Sequence, residues 1–196
     1  MKQFSYKLAS KFYDAEIISH DAIDDYAYAI ETLLVKAIGW IVLLSVAFII
    51  GWFKELFCYL LFFSAVRAYG GGFHTKSLMG CLILSVASLF IPIMLYKTIY
   101  PFLGNCQGGL IVLIIFDILV GSVNNEYIDW DQKELIKAKR NNRIIVCAEV
   151  AILLISYLIH IDSVYIVFMS LGLTAASLSM LVELIIQKGG RNHEKQ

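Results

Sequence analysis

Lys54-Glu-Leu-Phe-Cys-Tyr-Leu-Leu-Phe-Phe-Ser-Ala-Val-Arg67 is the stretch on which the architecture turns. Its uncharged run, Leu56 to Val66, is little more than half of the ~20 apolar residues that a helix needs to cross a bilayer. It crosses only if Lys54 snorkels and the end near Tyr69 lies shallow. Whether it does so sets the side of every residue that follows. The chain around it has 196 residues, 59% apolar and 16% charged, with a mean hydropathy of +0.73. So little polar surface marks an integral membrane protein.

Charges divide the chain into apolar blocks near Ile38 to Phe53, Leu56 to Tyr69, Ser77 to Tyr96, Gly108 to Val123, Ile144 to His160 and Val164 to Gln187. If all six cross and the N-terminus is inside, 13 of the 16 Lys and Arg residues are cytoplasmic and only Lys54 and Lys97 are outside, with Lys36 at a boundary. That is the asymmetry of the positive-inside rule. If Leu56 to Tyr69 stayed on one side, Lys133 to Arg143 would be exported. The reading is therefore an all-α integral membrane protein with six transmembrane helices, both termini and the Arg67 to Cys81 segment in the cytoplasm. Pro92 should kink the third span or be absorbed by packing.

Residues 1–31 form an amphipathic N-terminal segment, residues 33–187 the transmembrane core and residues 188–196 a cytoplasmic tail, together one domain. Phe4, Leu8, Phe12 and Ile17 recur at roughly helical spacing, as expected of a helix lying on the inner leaflet. No cleavable signal is expected, because Met1 to Glu31 lacks a continuous apolar core. The net charge of zero gives no ground for a nucleic-acid partner, and none is expected.

The chemistry concentrates in Arg67-Ala-Tyr-Gly-Gly-Gly-Phe-His-Thr-Lys-Ser-Leu-Met-Gly-Cys81. On one unbroken helix His74 and Cys81 would stand ~10 Å apart along the axis, too far for proton transfer. Gly70, Gly71 and Gly72 admit positive φ and supply a break in which His74 can fold back. Ser77 or Thr75 would cap the next helix and place Cys81 in its first two turns, where N–H groups and the dipole favour a thiolate. The same N–H groups could hold an acyl oxyanion. The plainer alternative is a surface histidine and a small packing cysteine. A metal site is not expected, since His74 has no ligand at i+3 or i+4 and the other histidines are distant. Cys58, Cys81, Cys106 and Cys147 lack a CxxC pair and do not suggest a disulfide framework.

Ser85, one turn beyond Cys81, could bond a substrate carbonyl or its own helix. Asp117, in the middle of the fourth span, should face protein or a wet cavity; it could orient His74, pair with Lys36 or be neutral. Glu149 and Glu183 rank below it. The loop Asn124 to Arg143 runs acidic and then basic, and its basic half could steer an acidic peptide.

The positions Arg67, Gly71, Gly72, His74, Cys81 and Ser85 resemble, in identity and spacing, the signature of the accessory gene regulator protein B family, and the resemblance extends over essentially the whole chain. It implies a membrane cysteine endopeptidase of bacterial quorum sensing. Carried over by position, Cys81 is the nucleophile and His74 the general base. Arg67, Gly71 and Gly72 shape the loop or contact substrate, Ser85 supports, and no cofactor is implied. The expected substrate is an autoinducer propeptide, which loses its C-terminal tail, is held as a thioester and closes into a thiolactone or lactone. A homodimer in the bacterial cell membrane is compatible with the family, although Gly172 to Ala176 offers only a weak small-residue face. Two other classes compete: a peptide transporter lined by Asp117, Glu149 and Glu183, and a non-catalytic membrane scaffold.

Overall fold

A computed structural model describes residues 2–72, 78–99, 107–124 and 130–193. Every regular element among the described residues is helical: α1 (Lys2–Asp14), α2 (Ile23–Ile49), α3 (Phe53–Gly70), α4 (Leu78–Ser88), α5 (Phe90–Ile99), α6 (Gln107–Val120), α7 (Gln132–Leu158) and α8 (Ser163–His193), with a 3₁₀ turn at His20–Ala22. Among the described residues, three stretches are long and apolar enough to cross a membrane, His20–Ile49, Gln132–Leu158 and Ser163–Lys188. Shorter apolar helices cover Ile83–Thr98 and Ile111–Val120. The chain divides into two compact units, Met1–Val46 and Ala47–Gln196.

In the first unit α1 closes with a left-handed cap. Glu16 takes φ +57°, the Ile17 N–H donates to Phe12 O at 2.9 Å and the Glu16 N–H donates to Tyr13 O at 2.8 Å. This pair of bonds satisfies carbonyls that a helix end leaves open. Ile17, expected on the apolar face of the N-terminal helix, therefore lies in the cap beyond it. α2 begins at Ile23, well before the block predicted from Ile38. Asp24 and Asp25 stand in its first turn, where the helix dipole favours negative charge, so these acids start the helix instead of preceding it.

In the second unit α3 packs along α8 and against α7, α6 packs against α7 and α8, and α5 against α8. Phe62 and Val66 meet Val146 and Leu153 of α7 and Leu173, Ala176 and Met180 of α8 in one core. Gly172 permits the α3–α8 approach: a Cβ there would strike the Tyr59 carbonyl oxygen and stand 3.0 Å from Phe62 Cβ and 3.1 Å from Phe63 N. Lipid is as apolar as leucine, so membrane helices associate through close packing of this kind more than through hydrophobic transfer. The small step from Gly172 to Ala176, predicted to be at most a weak contact between copies, lies against α3 of its own chain.

The 18 residues of α3 cover about 27 Å at the helical rise. At its start Trp52 stacks on Phe168 with centroids 5.7 Å apart, Tyr96 adjoins both, and Lys97 Nζ lies 5.7 Å over the Trp52 ring. Aromatic rings beside a cation are the usual furniture of a membrane interface. At its other end lies the glycine run.

Two further boundaries differ from the sequence reading. The third block breaks at Leu89, between α4 and α5, with Pro92 in the first turn of α5. Pro92 has no N–H to give the Ser88 carbonyl, but an opening turn asks for none. The predicted loop Asn124 to Arg143 is half helix, because α7 starts at Gln132. Asp131 Oδ1 accepts the Glu134 N–H at 2.7 Å and Glu134 Oε2 accepts the Asp131 N–H at 3.1 Å, a capping box that starts α7 ahead of its apolar part. Ala138, Asn142, Val146, Glu149, Leu153 and Ser156 then form its buried face.

Gly172→Val is expected to force α3 and α8 apart and cost about 1–3 kcal/mol. Gly39→Ala in α2, where a Cβ meets nothing within 4 Å, should be tolerated. Thermal unfolding of both variants in lipid nanodiscs checks the contrast.

Candidate functional site

The glycine run is the end of α3 and is held from three sides. Gly71 takes φ +74° and ψ −142° and Gly72 takes φ +111°, conformations that L side chains rarely adopt. From the end of α6, the Val123 N–H donates to Gly70 O at 2.8 Å, Ser122 Oγ donates to Tyr69 O at 2.6 Å, and Gly71 and Val123 pair as an isolated parallel bridge. From α7, the buried Asn142 amide donates to Gly121 O, and its Oδ1 would be 3.3 Å from a Cβ on Gly70. From α8, Met180 Sδ would lie 2.7 Å from the same Cβ.

Arg67, in the last turn of α3, folds back so that its guanidinium donates to the Gly71 carbonyl. A Cβ on Gly72 would collide with that guanidinium and lie 2.8 Å from Ser179 Oγ. Arg67, Gly71 and Gly72 are thus brought together. The bonds reach the main chain of the run, so its path is set by its neighbours more than by its own side chains.

His74, together with Thr75 and Ser77, lies outside the described residues. The main chain of Cys81 stands near the start of α4, and helix starts present N–H groups without intrahelical partners. Ser85 follows one turn later, half-buried, and its carbonyl accepts Ser88 Oγ at 2.7 Å. Asp117 is fully buried, and its Oδ2 accepts Ser177 Oγ at 2.5 Å. Glu183 accepts the Gln187 amide at 3.0 Å, and the same amide also donates to Asn124 O.

Four residues of this region were not singled out from the sequence: Ser122, Asn142, Ser177 and Ser179. Asn142 had a readable signal, since it stands seven residues before Glu149 on what the capping box shows to be one helix. Asn124 is a further anchor, exchanging bonds with the main chain of Trp130 at 2.9 and 3.0 Å. At α6, Arg143 Nε donates to Ile118 O at 2.8 Å, satisfying a carbonyl in the helix's last turn.

Gly72→Ala is expected to displace either Arg67 or α8 and to cost on the order of 1–3 kcal/mol in backbone strain alone. Thermal unfolding, with limited proteolysis after Arg67 as a second readout, checks it.

No curated protein and no solved structure matches the chain significantly. The profile of the accessory gene regulator B family matches residues 4–185, which takes in the Arg67 to Ser85 motif, the first five apolar blocks, most of the sixth and the buried face of α7. The chain therefore belongs to the accessory gene regulator B family, a family of accessory gene regulator quorum sensing.

Proposed function

We propose that the protein is a membrane cysteine endopeptidase that removes the C-terminal tail of an autoinducer propeptide and promotes cyclisation of the remainder. The observation that carries this reading is the position of Cys81 near the start of α4, a few residues after a glycine run pinned by Arg67, Ser122 and Val123. A helix start favours the thiolate that a cysteine nucleophile needs.

In this mechanism His74 takes the proton of the Cys81 thiol as Sγ attacks the scissile carbonyl. N–H groups at the start of α4 receive the oxyanion in this reading. The C–N bond breaks, His74 passes the proton to the departing amine, and the peptide stays on Cys81 as a thioester. A thiol or hydroxyl of the bound peptide then attacks that carbonyl, the bond to Sγ breaks, and a proton returns to Cys81. The ring closes without a net change of oxidation state. Exclusion of water decides the yield, because water competes for the same thioester. Arg67, Gly71 and Gly72 shape the approach, and Ser85 supports the peptide one turn deeper.

The topology that goes with this reading has six spans, with α3 and the joined α4–α5 among them, and both termini and the site at the cytoplasmic face. The distribution of Lys and Arg supports it, as does the length of α3 between the Trp52 aromatic cluster and Gly70.

Mass spectrometry of a candidate propeptide incubated with the protein in lipid, beside Cys81→Ala and His74→Ala, tests the proposal. Expected are loss of the tail and a trapped adduct on Cys81 in the parent, with both variants reduced by at least ~100-fold. Cleavage by both variants at the parental rate overturns it in favour of transport or scaffolding.

A further inference from the structure

The outer face of α7 is not used by the proposed peptidase chemistry, and it changes character once along its length. Lys133, Lys137, Arg140, Ile144, Ala151 and Ile155 are all exposed. At 3.6 residues per turn they fall within an arc of about 60°, opposite the buried Asn142, Glu149 and Leu153. This single stripe is basic over its first ~10 Å, from Lys133 to Arg140, and apolar over ~17 Å from Ile144 to Ile155. The change takes one turn, inside a helix long and apolar enough to cross a membrane.

The cations of the stripe lack counter-charges. Glu134 is the one acid between Gln132 and Arg143, and its Oε2 is turned back to the Asp131 N–H. Among the described residues no ion pair involves Lys133, Lys137 or Arg140. Their two basic neighbours are engaged elsewhere: Arg143 donates to the carbonyls of Ile118 and Leu119, and the stem of Lys139 lies along Gly121. Lys133 and Lys137 are four apart and Lys137 and Arg140 three apart, spacings at which side chains are neighbours and like charges repel. An anion seated between Lys137 and Arg140 relieves that repulsion.

The positive-inside rule accounts for the number of basic residues here but not for their alignment with an apolar stripe on one face. An acidic peptide would complement the basic half alone. A phospholipid carries both parts in the right order, a phosphate and then acyl chains that each cover a leaflet of ~15 Å. We propose that this stripe holds one anionic phospholipid, with its phosphate between Lys137 and Arg140 and a chain along Ile144, Ala151 and Ile155. Lys133, one turn nearer the water, strengthens the preference for a headgroup of net negative charge. The stripe offers no acid to a choline or an ammonium, so a zwitterionic lipid is the poorer occupant.

Native mass spectrometry of the full chain, released from detergent holding equal amounts of phosphatidylglycerol and phosphatidylcholine with identical chains, tests it. The parent is expected to retain phosphatidylglycerol over phosphatidylcholine by on the order of 10-fold, and Lys137→Gln with Arg140→Gln to retain it by about 2-fold or less. Lys7→Gln with Lys11→Gln, the same change of charge at exposed positions of α1, should keep the parental preference. No preference in the parent overturns the proposal. Equal loss in both double variants overturns it too and assigns the effect to bulk charge. Displacement of the lipid by polyglutamate assigns the face to an acidic peptide, and displacement by sn-glycerol 3-phosphate assigns it to free phosphate; either result overturns the lipid.

Discussion

Close approach of two helix backbones at Gly172 is the contact on which the second unit depends. α3 carries charge at both ends, with Lys54 and Glu55 at one and Arg67 at the other. Its burial cannot rest on hydrophobic transfer when the alternative surrounding is lipid. It rests on fit, and the fit exists because α8 presents no side chain where the Tyr59 to Phe63 backbone passes. From that crossing Leu173, Ala176 and Met180 continue along the same face, and Ser179 arrives beside Gly72.

The glycine run inherits its geometry from this packing. Gly71 and Gly72 occupy backbone conformations with little intrinsic preference to hold them, and an isolated peptide of this sequence would sample many others. What narrows the choice is external: the end of α6 bonds the main chain of Tyr69 and Gly70, Asn142 holds Gly121, and the Arg67 guanidinium fills the space that a Cβ on Gly72 would need. The Asp131 capping box contributes indirectly, because it starts α7 early enough for Asn142 to belong to a helix and face inward.

Composition and charge placement made the membrane class and the all-helical fold legible, and motif spacing made the family legible. Boundaries were less so. Charged residues were read as ends of helices, yet Asp24 and Asp25 open α2 through the dipole and Lys133 to Arg143 ride on α7 after its cap. Pro92, expected to kink the third block or be absorbed by packing, stands instead in the first turn of α5, after a break at Leu89 that the apolar run did not mark. Arg67, Gly71 and Gly72 were singled out through the motif, whereas Ser122, Asn142 and Ser179 act through contacts that only the fold creates. A lone serine or asparagine in an apolar run has no linear mark that separates a seat from a packing residue.

Met180 and Ser179, which back the glycine run, belong to the last helix in the chain. During synthesis α3 emerges more than a hundred residues before them, so the run of glycines must wait in the translocon or the bilayer without its support. Assembly in the order of synthesis is therefore not available to this part of the molecule: contacts between distant segments close late, after the intervening helices have been inserted. Quality control thereby comes built into connectivity, since a chain that stops short of α8 never acquires the shape on which its motif depends.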